Sequence, residues 1–184
     1  MVYVFLADGF EETEAITPID MLRRCGFDVL TAAVGAGSDR MVTSSHKVTV
    51  KADISADECD MESAELIILP GGMPGTKNLA ASECVKKCIN RAVERNILIG
   101  AICAAPSVIG EMGLLKGKRA VCYPGFEVAL KGAEVGTEPA VRDGNIITAR
   151  GAGAALEFSE ELIKALSSEK KSKELSESIV WKKK

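Results

Sequence analysis

Six short apolar segments rich in β-branched residues recur along this chain, separated by stretches with helical periodicity. Several of them are apolar at consecutive positions, which is typical of strands buried on both faces of a parallel sheet. The stretches between them can hold the crossover connections that parallel strands require. The pattern predicts strands at Val2–Ala7, Asp28–Ala33, Leu66–Leu69, Ile97–Ala101, Arg119–Cys122 and Ile146–Thr148.

The intervening segments predict helices. Glu11–Cys25 carries apolar residues near helical spacing and ends at Gly26, Ser82 is an expected N-cap, and Ala154–Leu166 repeats the helical pattern. Between Met41 and Lys51, alternating residues predict a small hairpin appended at the sheet edge. We therefore expect an α/β open sandwich of flavodoxin-like or Rossmann-like type, with a mostly parallel sheet and helices on both faces. Ligands should bind beyond the carboxyl ends of the strands.

The 184 residues fit a single domain over 1–184, in which residues 169–184 form a basic C-terminal helix or tail with six Lys against three Glu. The net charge of −3 argues against nucleic acid as the main partner. The N-terminal apolar run lacks a basic flank, and no apolar run approaches the roughly 20 residues that span a bilayer. We expect a cytoplasmic protein with no membrane association.

Six Cys and a single His restrict the chemistry of this chain. A Cys-His dyad, or a zinc site with more than one His, would have to be built from His46 alone. No Cys-x-x-Cys pair occurs, and a chain of this length does not depend on disulfides. We expect free thiols in a reducing compartment and no bound metal.

Cys103 follows the predicted strand Ile97–Ala101 and is the most informative candidate. Pro106 lies just after it, in the first turn of an expected helix, where its missing N–H costs nothing. The arrangement resembles a nucleophile elbow, and the helix N-terminus would lower the pKa of the thiol. Cys103 is therefore a candidate reactive thiol, whereas inert packing is expected for Cys25, Cys59, Cys84 and Cys88.

Two further candidates follow other predicted strands. Glu14 lies near the apolar face of the first helix, where burial would raise its carboxyl pKa; equally, it could simply complement the helix N-terminus. Gly71 and Gly72 follow Leu66–Leu69 and form either a tight turn or a pair of N–H donors for a developing oxyanion. Their segment lacks the spacing of a phosphate-binding loop, which excludes that mode of nucleotide binding.

These residues belong to five motifs that occur in the order found in the ThiJ/PfpI superfamily, in the branch that includes the parkinsonism-associated deglycase and its bacterial relatives. The chain resembles that family from about Val2 to Leu166. The motifs are Asp8-Gly-Phe-Glu-Glu-Thr-Glu14-Ala, Pro18-Ile-Asp20 followed by Arg23-Arg-Cys-Gly26, Leu69-Pro-Gly-Gly72, Ala101-Ile-Cys-Ala-Ala-Pro106 and Thr148-Ala-Arg-Gly-Ala-Gly153.

The resemblance implies a flavodoxin-like homodimer that needs no cofactor. It matches Cys103 to the reactive cysteine, Glu14 to a protonated carboxylic acid that hydrogen-bonds it, and the N–H groups of Gly72 and Ala104 to an oxyanion site. Gly71 and the residue at position 123 are expected to line the substrate pocket. That residue is Tyr123, where many members have a His, so a Cys-His dyad is absent.

The implied activity is conversion of a small reactive carbonyl compound, a 2-oxoaldehyde such as methylglyoxal, to a hydroxy acid, with Cys103 as nucleophile and Glu14 as proton shuttle. The same addition chemistry could act on early adducts of glyoxals with amines, as in a deglycase. The alternative is a non-enzymatic redox sensor or redox-regulated chaperone in which Cys103 is oxidised to a sulfinate. Both hypotheses use the same residues, so the sequence does not separate them.

Overall fold

The computed structural model describes residues 1–181 and contains eleven strands and six α-helices within that range. The strands are β1 (Val2–Ala7), β2 (Val29–Val34), β3 (Met41–Thr43), β4 (Thr49–Lys51), β5 (Ile54–Ser55), β6 (Leu66–Leu69), β7 (Leu98–Ile102), β8 (Arg119–Ala120), β9 (Glu134–Val135), β10 (Ala140–Asp143) and β11 (Ile146–Ala149). The helices are α1 (Glu12–Arg24), α2 (Gly75–Ala81), α3 (Glu83–Glu94), α4 (Pro106–Glu111), α5 (Ala155–Leu166) and α6 (Glu169–Ser178).

Seven strands form the central sheet, in the order β10-β11-β7-β6-β1-β2-β5. All neighbours pair in parallel except β10 and β11, which are antiparallel. The five long parallel strands therefore follow the flavodoxin-like order in which the first strand lies between the second and the third. This confirms the expected mostly parallel α/β sandwich, and it adds the antiparallel edge strand β10, which the sequence pattern did not predict.

Helices cover both faces of the sheet, as β1 illustrates. Along β1, Phe5 joins an apolar cluster that contains Ile89 of α3, whereas Leu6 joins a second cluster that contains Leu22 of α1 and Phe158 of α5. Successive residues of a strand point to opposite faces, so one fully buried strand serves two cores. This double burial explains why the strand segments are apolar at consecutive positions.

Two predicted β segments lie outside the central sheet. The hairpin of β3 and β4 forms, but it is not paired to the sheet edge as expected. Its Thr43 carbonyl accepts a hydrogen bond from Gly9, and its Ser45 N–H donates to Phe10, so it is docked on the loop that follows β1. The predicted strand Arg119–Cys122 is shorter, and as β8 it pairs in parallel with β9 in a separate two-stranded sheet.

The basic C-terminal segment forms α6 and packs through Leu175 against the α1 and α5 side of the sheet. Residues 182–184 of the predicted helix or tail lie outside the described part of the chain. Within residues 1–181, no helix combines the length and the apolar character needed to cross a membrane.

Candidate active site

Cys103 lies directly after β7, in the turn that leads to Pro106 at the start of α4. Its φ is 65°, a left-handed conformation that non-glycine residues rarely adopt and that concentrates at functional sites. The turn is held from both sides, because the Cys103 N–H donates to the Ala149 carbonyl (2.9 Å) and the Cys103 carbonyl accepts from the Tyr123 N–H (2.8 Å). The strained turn therefore has the elbow geometry that the sequence indicated.

Glu14 reaches the sulfur of Cys103 from α1. The side chain is only 1% exposed, and its carboxyl forms a hydrogen bond with the Cys103 thiol. A second hydrogen bond comes from the Gly71 N–H, which donates to Oε2 at 3.0 Å, and the backbone of Ala152 provides a third. These contacts aim a buried carboxyl group at the candidate nucleophile.

The two glycines after β6 complete the site in different ways. Gly72 has a φ of 89°, which glycine adopts without strain, and its N–H is hydrogen-bonded to the Cys103 sulfur together with the N–H of Ala104. Gly71 leaves no space for a side chain, because a Cβ there would lie 2.5 Å from Glu14 Oε2 and 2.6 Å from Cys103 Cβ. The structure thus brings together Glu14, Gly71, Gly72, Cys103 and Ala104, which are at most 90 positions apart along the chain.

The environment of this pair shifts both of its pKa values upward. Burial is the main cause that raises the pKa of Glu14, from 4.5 to about 7. Burial, followed by the charge and hydrogen bond of Glu14, raises the pKa of Cys103 to about 12. The expectation of a lowered thiol pKa is therefore wrong. The carboxylate of Glu14 and the loss of hydration outweigh the N–H groups that favour the thiolate.

Because Glu14 and Cys103 are hydrogen-bonded, they titrate as a pair. Deprotonation near pH 7 leaves the pair with one proton and one negative charge. When the proton lies on Glu14, the sulfur is a thiolate that accepts hydrogen bonds from Gly72 and Ala104. The site can therefore provide a nucleophile and an adjacent acid with a single proton.

A cleft of about 440 Å³ lies beside this pair. Tyr123 lines it and is 51% exposed. Gly151 lies between the cleft and the catalytic candidates, because a Cβ there would be 3.3 Å from Tyr123 Cδ2 and 3.8 Å from Glu14 Oε1. Arg150 and Ala152 also line the cleft. The sequence did not indicate a role for Arg150; its position directly after β11, at the carboxyl edge of the sheet, was the available signal.

Within residues 1–181, potential metal ligands come close together at Glu11, Glu12 and His46, whose ligand atoms lie within 4.8 Å of one another. Glu12 is already engaged there. Its carboxylate accepts hydrogen bonds from the Ser44 hydroxyl and from the His46 backbone N–H, and it pairs with His46 Nδ1 at 2.8 Å. These contacts tie the hairpin to the N-terminus of α1.

We predict that Gly71→Ala disrupts the candidate site, because the added methyl group must displace Glu14 or Cys103. Overpacking of this kind costs about 1–3 kcal/mol of stability. The measurements are the thermal unfolding midpoint and the pH dependence of Cys103 alkylation. Gly153→Ala is the matched control, because nothing lies within 4 Å of the position of its Cβ. Identical results for the two variants would contradict the prediction.

Comparison with known proteins places these residues in a family. A protein named DJ-1 homolog B from Arabidopsis thaliana is 38% identical over 180 residues, which cover 97% of this chain and 41% of the relative. The chain thus spans about two fifths of the length of that relative. A protein named deglycase from Pyrococcus abyssi is 30% identical over 170 residues, which cover 90% of this chain and 98% of the relative.

Among solved structures, oxidized DJ-1 from Toxoplasma gondii superposes with a TM-score of 0.93 at 33% sequence identity, covering 99% of this chain and 98% of that one. Residues 1–165 match the DJ-1/PfpI family, so the match includes every residue of the candidate site. The protein belongs to the DJ-1/PfpI family.

Proposed function

We propose that this protein is a cofactor-free, cysteine-dependent enzyme of glyoxalase or deglycase type that acts on reactive 2-oxoaldehydes and converts methylglyoxal to lactate. The observation that carries the proposal is the buried hydrogen bond between Glu14 and Cys103. The relative from Pyrococcus abyssi named deglycase supports the same chemistry.

The first step is addition of the Cys103 sulfur to the aldehyde carbon of methylglyoxal. The carbonyl oxygen becomes an alkoxide, and the N–H groups of Gly72 and Ala104, which point at the sulfur, lie next to the position where that charge develops. Glu14, protonated when the sulfur is a thiolate, donates its proton to the alkoxide. The product of this step is a neutral hemithioacetal and an ionised Glu14.

Glu14 then acts in the opposite sense, as a base. Its carboxylate removes the proton from the carbon that is bonded to sulfur, which gives an enediolate, and the same carboxyl group returns that proton to the neighbouring carbon. The hydroxyl proton of the first carbon passes to the oxygen of the second. A lactoyl thioester results, and attack by water releases lactate and regenerates the Cys103 thiol. The sum is methylglyoxal plus water to lactic acid, with no external oxidant or reductant.

The test is formation of lactate from methylglyoxal by the purified protein in buffer without glutathione. We expect steady turnover, retained in Cys122→Ser, since this buried thiol is outside the site. The same assay with early glyoxal adducts of amines measures deglycase activity. If the protein releases no hydroxy acid from either substrate, the enzyme proposal is overturned.

The rate should depend on pH through the Glu14–Cys103 pair. Below pH 7 both groups are protonated and no nucleophile is present; above about pH 7 one proton is lost and the reactive form accumulates. We therefore expect kcat/KM to rise with an apparent pKa of about 7 and to remain high well into the alkaline range. A flat profile between pH 5 and 9 would contradict this assignment.

A redox sensor or redox-regulated chaperone is the second candidate function, and the oxidized state named for the Toxoplasma gondii relative favours it. The thiolate would attack peroxide twice, each time gaining one oxygen and releasing one water, to give a sulfinate that Gly72, Ala104 and Glu14 could hold. Intact-mass spectrometry after mild peroxide tests this: a gain of two oxygens confined to Cys103 supports it, and no gain excludes it.

We also propose that the protein is a cytoplasmic homodimer. All six thiols are free, which supports a reducing compartment. Ile16 on α1 is 44% exposed and lines two shallow clefts, as an apolar residue at a subunit interface would. Light scattering coupled to gel filtration should give a mass near twice 19.5 kDa, and Ile16→Lys should lower it.

A further inference from the structure

Arg150 lines the cleft beside the candidate active site and comes next to Cys103 in the sheet. The parallel register of β11 with β7 places Ala149 beside Ile102. The residues that follow, Arg150 and Cys103, are therefore neighbours at the carboxyl edge of the sheet. Backbones of neighbouring strands lie about 5 Å apart, so the Arg150 side chain begins close to the candidate nucleophile.

The guanidinium group of Arg150 is largely unused by the protein itself. A guanidinium group has five N–H donors. One of them, on Nη1, donates to the Thr137 carbonyl at 3.4 Å, which is longer than usual for such a bond. Within residues 1–181 no carboxylate forms an ion pair with Arg150, and Glu138, next to Thr137, pairs with Arg119 at 2.9 Å instead. A permanent positive charge thus has donors left for a ligand.

The rest of the cleft is uncharged. Among the described residues that line it, Arg150 is the charged one, and the others are Tyr123, Pro124, Thr137, Pro139 and residues 151–154. The cleft comes nearest to the catalytic candidates at Gly151, where a Cβ would lie 3.8 Å from Glu14 Oε1. A small molecule can therefore present one end to the Glu14–Cys103 pair and the other to a single positive charge, with uncharged walls between them.

We propose that Arg150 is a carboxylate-binding residue and that it selects 2-oxoaldehydes that carry a carboxylate a few carbon atoms from the aldehyde. One guanidinium group balances one negative charge, and its planar fork matches a carboxylate through two parallel hydrogen bonds. The choice of substrate rests on the proposed function. In such a substrate the aldehyde carbon is oxidised to a carboxylate while the ketone carbon is reduced to an alcohol, so water is the only co-reactant.

The first experiment compares two five-carbon substrates, 4,5-dioxopentanoate and 2-oxopentanal, which end in a carboxylate and in a methyl group. We expect a higher kcat/KM for the acid, which gives 2-hydroxyglutarate. The ratio of the two kcat/KM values should fall about 10- to 100-fold in Arg150→Gln, the loss typical of a hydrogen bond between charged groups. The change should lie in KM for the acid, since a remote carboxylate is bound equally in the ground and transition states.

Arg142→Gln is the matched control. Arg142, on β10, also donates to a backbone carbonyl, that of Gly144 at 3.0 Å, and in the described part of the chain it does not line the cleft. The substitution removes the same charge and should leave the substrate ratio unchanged. Arg150→Lys keeps the charge but loses the fork, so its ratio should lie between those of the unmodified protein and Arg150→Gln. This variant also keeps the test valid if Arg150→Gln unfolds.

A second measurement needs no turnover. The ketone 4-oxopentanoate has the carboxylate but no aldehyde, and it should slow the alkylation of Cys103 by iodoacetamide, followed by peptide mass spectrometry. Its neutral counterpart, 2-pentanone, should protect less. The concentration of 4-oxopentanoate that gives half protection should rise about 10-fold or more in Arg150→Gln and stay unchanged in Arg142→Gln.

The two measurements separate this proposal from the enzyme proposal. If no glyoxal is turned over but protection by 4-oxopentanoate depends on Arg150, the enzyme proposal fails and the carboxylate site stands. If glyoxals are turned over and the substrate ratio is the same in Arg150→Gln and Arg142→Gln, the enzyme stands and the carboxylate site is overturned. Equal protection in these two variants also overturns the carboxylate site, whether or not the protein is an enzyme.

Discussion

Cys103→Ser should reduce lactate formation from methylglyoxal by about 10³-fold or more, as expected when a covalent nucleophile is removed. A serine hydroxyl holds its proton far more tightly than a thiol. A Glu14 carboxylate with a pKa of about 7 is too weak a base to remove that proton. The measurement is kcat/KM for lactate production at pH 8, where the pair of the unmodified protein carries one proton.

Cys25→Ser is the control for this substitution, because Cys25 is a buried thiol at the C-terminal end of α1, about three helical turns beyond Glu14. We expect its kcat/KM to stay within a few-fold of the unmodified protein. Equal turnover by Cys103→Ser and Cys25→Ser would contradict covalent catalysis at Cys103. If the unmodified protein also gains two oxygens at Cys103 from mild peroxide without turning over any glyoxal, the sensor function replaces the enzyme.

The sequence alone was sufficient to predict the five long parallel strands of the sheet, because these strands are buried on both faces. A run such as Leu66–Leu69, with every residue buried, has few alternatives in a chain of this length. Strands at the edge of the sheet have a weaker sequence pattern, because a neighbouring strand lies on only one side of them. That is why β10 was missed, and why the segment at Arg119 was assigned to the central sheet although it pairs with β9.

The position of the candidate nucleophile could be predicted from neighbouring residues in the sequence, whereas the direction of its pKa shift could not. Cys103 is marked by the strand before it and Pro106 after it, both visible in the sequence. The sign of its pKa shift depends on Glu14, which is 89 positions away and meets the sulfur only because β1 and β7 flank β6 in the sheet. The start of α4 is only one neighbour of the thiol, and burial and a second ionisable group have larger effects on its pKa.

The strained turn and the buried acid also depend on each other. The left-handed backbone of Cys103 and the ionised, buried carboxyl group of Glu14 both cost free energy on folding. Contacts with the surrounding structure must therefore hold both residues in place. The Gly71 N–H does part of this by binding Glu14, and the Ala149 carbonyl does part by binding the Cys103 N–H. Removal of the acid should therefore relieve a cost that the native protein carries, an effect that is separable from catalysis.

Glu14→Gln should make the protein more stable at alkaline pH and nearly inactive. The pKa of Glu14 is raised from 4.5 to about 7, so the folded protein favours its protonated form. The stability associated with this form is fully present below pH 4.5 and is lost as the pH rises through 7. A shift of that size corresponds to about 3 kcal/mol, since one pKa unit is about 1.4 kcal/mol.

The measurement is the free energy of unfolding by urea at pH 4.5 and pH 8 for Glu14→Gln and the unmodified protein. Because glutamine does not titrate, the difference between the two proteins should move in favour of Glu14→Gln by about 3 kcal/mol between these pH values. Activity should fall by about 10²- to 10⁴-fold, the usual contribution of a general acid–base group. If activity is lost but this pH-dependent stabilisation is absent, the ionisation of Glu14 costs the folded protein little free energy and the prediction is wrong.

Glu12→Gln provides a control of opposite sign on the same helix. The pKa of Glu12 is lowered to about 2, despite partial burial, by hydrogen bonds from Ser44 and His46, so its carboxylate stabilises the folded protein above pH 4.5. That stability is lost as the pH falls from 4.5 toward 2. Glu12→Gln should therefore be destabilising at pH 8, where Glu14→Gln is stabilising. The two substitutions would then change the stability at pH 8 in opposite directions. The carboxylate of Glu12 accepts hydrogen bonds from protein donors at the surface, whereas that of Glu14 is buried against a thiol.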